Sequence, residues 1–153
     1  MHHNRYPIEA SDNLLKFEFF SEGSKGKIKK QIVFKALKGN PYIYNLGFGD
    51  VDSEGEIDDI VVTDNNDSQK VLATVALAVY RFLEVHFNCF VYATGSTAAR
   101  TRLYRIGINN NLNFIINDFE VFGLINNEWE VFTKDRNYTA FLIKRKDSIF
   151  DKE

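Results

Sequence analysis

The sequence predicts an α+β domain in which two helices pack against one largely antiparallel sheet of about seven strands. Apolar residues recur at helical spacing over residues 68–86 and again from residue 97 onward. Between these segments, runs rich in β-branched and aromatic residues are bounded by turn-forming residues, so that each strand can pair with a neighbour in sequence. The predicted order of elements is ββββαβαβββ.

The first half of the chain is predicted to form four strands and one helix. Turn-forming residues at 21–26, 39–41 and 53–55 separate the strands. Residues 65–68, Asn-Asn-Asp-Ser, are typical caps for the helix that follows. The strands are residues 14–20, 27–37, 42–48 and 57–63, and the helix covers residues 68–86.

The second predicted strand has one apolar face and one basic face, because side chains alternate along a strand. Ile28, Ile32 and Phe34 lie on the apolar face. Lys30 falls on the same face, where a strand end or a snorkelling stem would accommodate it. The opposite face is expected to be exposed and cationic, and it carries Lys27, Lys29, Gln31 and Lys35.

The second half of the chain is predicted to form one strand, one helix and three further strands. The first strand covers residues 89–93, and the helix runs over residues 97–106 with Gly107 as its C-cap. The Asn-rich residues 109–111 are expected to form a loop, followed by a short extension at 113–116. The last strands are residues 119–125, 129–133 and 139–144.

The composition is that of a single well-filled domain. The chain has 153 residues, of which 44% are hydrophobic and 14% aromatic, and it contains no Pro-rich or Ser/Gly-rich linker. We expect one domain over residues 1–153, with residues 1–12 and 147–153 mobile. Neither a signal peptide nor an apolar run of about 20 residues is present, so a cytoplasmic location without membrane contact is expected. The single cysteine, Cys89, is expected to be a buried thiol.

Charge is segregated along the chain although the net charge is only −2. Residues 24–38 contain six lysines and no acid, whereas residues 50–67 contain eight acids and no base. Folding could gather these segments into a bipolar surface, or each could be an ordinary solvated face. A pI near 5.9 excludes the strong global basic field that is typical of many nucleic-acid-binding proteins.

Residues 95–104 have the pattern of a junction at which a strand ends and a helix begins. Anions commonly bind at the helix N-terminus of such a junction. Gly95 permits a tight turn, and Ser96 or Thr97 can cap the first helical turn. The free backbone N–H groups of that turn are partially positive, and nearby arginines add full charges. Flanking salt bridges would explain the arginines about as well. The predicted members of an anion site are Ser96, Thr97, Arg100, Arg102, Tyr104 and Arg105.

The basic hairpin is a second candidate site. Phosphate contacts from Lys25, Lys27 and Lys29, combined with stacking on exposed aromatic rings, would suit a single-stranded nucleic acid. The rings that lie near enough in sequence are Tyr42, Tyr44 and Phe48. The alternative is that these rings belong to the core, as aromatic residues on strands commonly do.

The acidic segment and the histidines do not complete a catalytic or metal signature. Residues 50–58 resemble the opening of a calcium loop, but its twelfth position is Val61, where a bidentate Glu is needed. A tight hairpin with solvated acids is therefore expected. The three histidines, His2, His3 and His86, cannot be assembled with a nucleophile. We predict no metal, no cofactor and no catalytic residue.

Several motifs of this chain together resemble an uncharacterised family of single-domain bacterial proteins. They are GKI-K-I-F at residues 26–34, NLGFGD at 45–50, IDD at 57–59, ND--KVLATV at 66–75 and GST--RTRLYR at 95–105. The resemblance covers most of the chain and implies a compact domain of unknown function. More loosely, four antiparallel strands followed by a helix are similar to the single-stranded nucleic-acid-binding folds of the transcriptional coactivator and plant Whirly type, with residues 25–27 as their Lys-Gly-Lys-like hairpin.

The leading hypothesis is a non-catalytic protein that binds single-stranded DNA, RNA or another phosphate-bearing ligand through the basic hairpin and the start of the second helix. One alternative is an enzyme that acts on a phosphate-containing substrate, such as a nuclease or toxin-like protein, through Asp58, Asp59 and Arg100. Another is a protein-interaction module whose bipolar surface would pair with a small protein partner or a second copy. An exposed patch at Trp129 and Phe132 without a cleft would favour this alternative.

Overall fold

The computed structural model describes residues 4–58 and 64–146 and confirms an α+β fold. Two helices and nine strands are assigned within these residues. The strands of the first half are β1 (Glu9–Ala10), β2 (Lys16–Gly23), β3 (Gly26–Leu37), β4 (Asn40–Val51) and β5 (Ile57–Asp58). They are followed by α1 (Ser68–Val85), β6 (Phe90–Ala93), α2 (Ala98–Ile115), β7 (Phe119–Ile125), β8 (Glu128–Val131) and β9 (Ala140–Arg145).

The strands form one twisted sheet in the order β1-β2-β3-β4-β6-β9-β7-β8, with β5 paired to β4. Within the described residues all neighbours are antiparallel except β4 and β6, which run parallel. The expectation that each strand pairs with a neighbour in sequence is wrong for β6, which lies between β4 and β9, and for β9, which lies between β6 and β7. The reason is that α1 crosses the sheet and returns the chain beside β4, and β9 then fills the place between β6 and β7.

Both helices pack on the same side of the sheet, which we call the inner face. Phe17, Ile32 and Val91 lie on this face and are fully buried. The rings of Phe34 on β3 and Phe82 on α1 stack with their centroids 4.3 Å apart. The opposite side, the outer face, is not covered by either helix. The division of the second strand into two faces agrees with the prediction, except that Gln31 on the outer face is buried and not exposed.

Most predicted strands agree with the structure apart from their ends. β4 extends three residues beyond the predicted end, because it pairs with β3 up to Asp50 and with β5 through Asp50 and Val51. The predicted strand 57–63 is present as Ile57–Asp58, and its remaining residues, 59–63, lie outside the described part of the chain. The strand β1, which the sequence did not suggest, pairs with β2 through Glu9 and Ala10.

The first helix begins where predicted, but its predicted caps have other roles. Asp67 occupies the N-cap position without a capping side-chain hydrogen bond. Its carboxylate instead accepts hydrogen bonds from the Tyr6 hydroxyl at 2.6 Å and the Ser21 hydroxyl at 2.5 Å. The buried Asn65 donates from Nδ2 to the carbonyl of Gly26 at 2.8 Å, and its Oδ1 accepts from the Lys25 backbone N–H at 2.5 Å. These residues thus fasten the β2–β3 hairpin to the start of α1.

The second helix is longer than predicted, since it has 18 residues where the prediction covered only residues 97–106. It continues through Gly107 and the Asn-rich residues 109–111 to Ile115, so the predicted C-cap, loop and extension are wrong. Leu112 and Ile115 pack against the core, and Asn111 Nδ2 donates to the Gly107 carbonyl at 2.8 Å. Gly and Asn in a helix interior cost only about 1 kcal/mol or less per residue relative to Ala. The contacts of Leu112 and Ile115 with the core outweigh this cost.

Residues near the N-terminus contact the helices. Tyr6 is buried, and its backbone N–H donates to Thr74 Oγ1 of α1 at 2.9 Å. The mobility expected for residues 1–12 and 147–153 stays a prediction, and residues 1–3 and 147–153 lie outside the described part of the chain. Among the described residues, neither helix is long and apolar enough to cross a membrane.

Gly107→Ala is expected to stabilise the protein by about 0.5–1 kcal/mol, because it replaces glycine inside a helix. A Cβ at this position would meet Leu72 at 3.4 Å, which is ordinary contact. Urea denaturation of both proteins measures the difference. The matched control is Gly123→Ala, whose Cβ would clash with the buried ring of Tyr138 and which should be clearly destabilising. A destabilised Gly107→Ala protein would favour the C-cap interpretation of Gly107.

Candidate functional site

A cavity of about 540 Å³ lies on the inner face, between the N-terminal ends of α1 and α2. We call it the polar cavity. Ionisable side chains from the sheet, from the segment before α1 and from α2 line it, together with apolar side chains of both helices. Its polar and charged lining residues are Lys30, Asp64, Asn65, Asp67, Ser68, Thr97, Arg100 and Arg102.

Its floor holds a buried ion pair. Lys30 on β3 and Asp50 on β4 are paired in register, and Lys30 Nζ lies 2.6 Å from Asp50 Oδ1. The Lys30 side chain is only 1% exposed, so the expected strand end or snorkelling stem is wrong. The ammonium group lies 5.8 Å from the centroid of the Phe48 ring. A buried lysine is stable here because the carboxylate and the ring both offset the cost of removing its charge from water.

Arg100 anchors the start of α2 to the sheet. Its side chain is buried, and its guanidinium donates to the backbone carbonyl of Phe48. The guanidinium carbon also lies 5.3 Å from the centroid of the Phe48 ring, so Lys30 and Arg100 approach the same ring. Gly95 makes this approach possible, because a Cβ there would clash with the Arg100 side chain and the Thr101 backbone.

The first turn of α2 forms one wall of the cavity. Thr97 is the N-cap, and its Oγ1 accepts the Arg100 backbone N–H at 3.1 Å. Arg102 is exposed at the rim, whereas Tyr104 is buried in the wall. Thr97, Arg100, Arg102 and Tyr104 were predicted as site residues and share this cavity. Ser96 is exposed and does not line it.

Arg105 points away from the polar cavity. Its Nη1 lies 3.5 Å from the carbonyl oxygen of Tyr138, near the other end of the sheet. Arg102 and Arg105 therefore share a helix and a charge but have different surroundings.

The basic hairpin lies on the other side of the sheet. The side chains of Lys27 and Lys29 are on the outer face, so the sheet separates them from Arg100, and no single groove joins the two predicted clusters. The exposed face is also not purely cationic. Lys27 is opposite Glu22, and Lys29 Nζ lies 3.4 Å from Glu18. The outer face is therefore less cationic than the sequence of the second strand alone suggests, because the neighbouring strand β2 supplies acids.

The aromatic rings near the hairpin are also different from those predicted. Tyr44 and Phe48 face the core, while Tyr42 is 52% exposed. Phe20, which the sequence reasoning did not single out, is 45% exposed on the outer face, and Lys27 Nζ lies 4.6 Å from its ring centroid. Its alternation with Phe19 on β2 was the signal that could have identified it.

The acidic segment forms the tight hairpin that was expected. Asp52 Oδ1 accepts the backbone N–H groups of Glu54 at 2.9 Å and Glu56 at 3.0 Å. In the β4–β5 ladder, Asp58 is the backbone partner of Asp50, and Asp59 lies outside the described residues. In residues 4–58 and 64–146 no group of three or more His, Cys, Asp or Glu could hold a metal ion.

Trp129 and Phe132 do not form the exposed patch that would favour a protein-interaction module. Trp129 is 42% exposed on the outer face and contacts Tyr92, with ring centroids 6.2 Å apart. Phe132 is instead buried against Tyr138, with ring centroids 5.0 Å apart. Only the first of the two residues is available to a partner.

Comparison with known proteins places the chain in a family without an assigned role. A family model described as a family of unknown function, DUF6934, matches residues 2–146. The resemblance to an uncharacterised family is therefore confirmed, whereas the looser similarity to the coactivator and Whirly folds is not. No curated protein and no solved structure matches the chain.

Replacing Lys30 by alanine is expected to reduce the free energy of unfolding by about 3–5 kcal/mol, because Asp50 would keep a buried charge without its ammonium partner. The double variant Lys30→Met/Asp50→Leu should lose much less, since it removes both charges and keeps the volume. Chemical denaturation of the single and double variants measures this difference. Equal losses would mean that the electrostatic pairing of these residues is unimportant.

Proposed function

This chain belongs to the DUF6934 family, a family of unknown function, and we propose that it is a non-catalytic protein that binds a small phosphate-bearing ligand in the polar cavity. The observation that carries the proposal is the convergence of Lys30, Arg100 and Arg102 on one concave space of about 540 Å³. Sites for small ligands usually have volumes of about 300–1,000 Å³ and contain a few convergent polar groups.

The charges around the cavity suit an anion at its rim. Of the nearby carboxylates, Asp50 pairs with Lys30, Asp67 accepts two hydroxyl hydrogen bonds, and the exposed Asp64 accepts the Asn66 backbone N–H at 2.9 Å. Arg102 is exposed at the rim, and its planar guanidinium matches the geometry of a phosphate group. The N-terminus of α2 adds partial positive charge beside it. A phosphate at this position would therefore meet the exposed guanidinium of Arg102 and the partial positive charge of the helix start.

Arg102→Gln is expected to weaken the binding of inorganic phosphate and of ribose 5-phosphate about tenfold, because one charge-assisted hydrogen bond is lost. Isothermal titration calorimetry measures the affinity. The matched control is Arg105→Gln, which removes the same charge from the same helix outside the cavity and should leave the affinity nearly unchanged. If neither probe binds, or if both variants lose affinity equally, the proposal is wrong.

Single-stranded nucleic acid is a second candidate ligand, and it would use the outer face. The observation that favours it is the exposed Phe20 ring beside Lys27 and Lys29, since a base can stack on the ring while the lysines contact phosphates. Glu18 and Glu22 on the same face weaken the positive field. The outer face therefore supports this function less strongly than the polar cavity supports a small anion.

Nucleic-acid binding on the outer face predicts a distinct set of variant effects. In Lys27→Ala/Lys29→Ala, the slope of log affinity against log salt should decrease by about 1.4, because two phosphate contacts of a single strand are lost at about 0.7 each. Fluorescence anisotropy with a labelled oligonucleotide at several salt concentrations measures the slope. Arg102→Gln is the control and should bind the oligonucleotide normally. Loss of binding in Arg102→Gln alone would place the strand in the polar cavity instead.

A further inference from the structure

A second cavity, of about 100 Å³, lies beneath α2 next to the polar cavity. We call it the apolar cavity. Side chains of α1, α2 and the inner face of the sheet line it. Leu72 and Tyr104 line both cavities, so the two adjoin at these residues. The apolar lining includes Leu46, Val75, Ala76, Val79, Ala93 and Ile143.

The polar atoms at the edge of the apolar cavity have partners elsewhere. The Tyr80 hydroxyl donates to Asp118, and Asn111 Nδ2 donates to the carbonyl of Gly107. Burial, followed by the hydrogen bond to Asp118, raises the pKa of Tyr80 to about 12, so the phenol is uncharged at neutral pH. An apolar lining of this kind favours apolar groups over water, because water finds too few hydrogen-bond partners there.

Resting on the proposed function, we infer that the ligand is an amphiphilic phosphate ester, with its phosphate at the rim near Arg102 and a compact apolar group in the apolar cavity. The size of the cavity limits that group. A cavity of about 150 Å³ accepts benzene, so the smaller space here suits a chain of roughly four carbon atoms. A nucleobase is larger than this, which distinguishes the inferred ligand from a nucleotide.

The inference predicts how affinity depends on chain length in the series from methyl to butyl phosphate. Each added methylene should strengthen binding to the wild-type protein about fourfold, since its burial contributes about 0.8 kcal/mol. Hexyl phosphate should bind no more tightly than butyl phosphate, because the apolar cavity is then full. Isothermal titration calorimetry of the complete chain measures the series.

Ala76→Leu supplies the decisive variant, because the larger side chain fills the apolar cavity and leaves the polar cavity intact. It should abolish the gain with chain length and keep the affinity for methyl phosphate. Ala98→Leu makes the same change at an exposed position outside both cavities and should retain the gain.

A second measurement does not depend on the folding of a variant. In NMR spectra of the wild-type protein, butyl phosphate but not methyl phosphate should shift the methyl signals of Val75 and Ile143, which line only the apolar cavity. If methyl phosphate binds but affinity is constant along the series and these signals do not move, the inference fails and the proposed function stands. If methyl phosphate does not bind at all, both fail.

Discussion

The attachment of Arg100 to the backbone of Phe48 determines where α2 lies, and both cavities depend on that position. The guanidinium donates to the Phe48 carbonyl and packs over its ring, while only Arg100 and Tyr104 of this helix are buried. A helix with so few buried residues leaves space between itself and the sheet. The anchored end encloses the polar cavity, and the loosely packed middle covers the apolar one.

Charge is distributed differently in the folded protein than along the sequence. The lysine-rich segment does not form a separate positive pole, because strand pairing brings acids to it. Lys30 meets Asp50 of the acid-rich segment on the inner face, and Lys29 meets Glu18 of β2 on the outer face. Exposed pairs such as Lys29–Glu18 contribute little energy, whereas the buried pair is costly to break. Local pairing therefore accounts for much of the charge on the hairpin. The polar cavity remains the stronger candidate for a binding site.

The sequence was sufficient for most of the individual strands, for α1 and for the start of α2, because alternation around Ile32 and helical spacing through Phe82 are strong local signals. It was insufficient for the order of the strands, since the place of β6 beside β4 depends on the crossing of α1. It was insufficient for the end of α2, where Gly107 suggested a stop but contacts of Ile115 with distant core residues continued the helix. The site was predicted in part. Arg100 and Arg102 carried a recognisable local pattern, whereas the pairing of Lys30 depends on a strand twenty residues away.

Phosphate titration followed by NMR locates the bound anion without assuming its partners. With isotope-labelled protein and inorganic phosphate, binding in the polar cavity should give saturable shifts of the backbone amide signals at the start of α2, around Arg100 and Arg102. The amides of Lys27 and Lys29 on the outer face should remain unchanged. Shifts confined to those lysines, or no saturable shift at any amide, would show that the polar cavity is not a phosphate site.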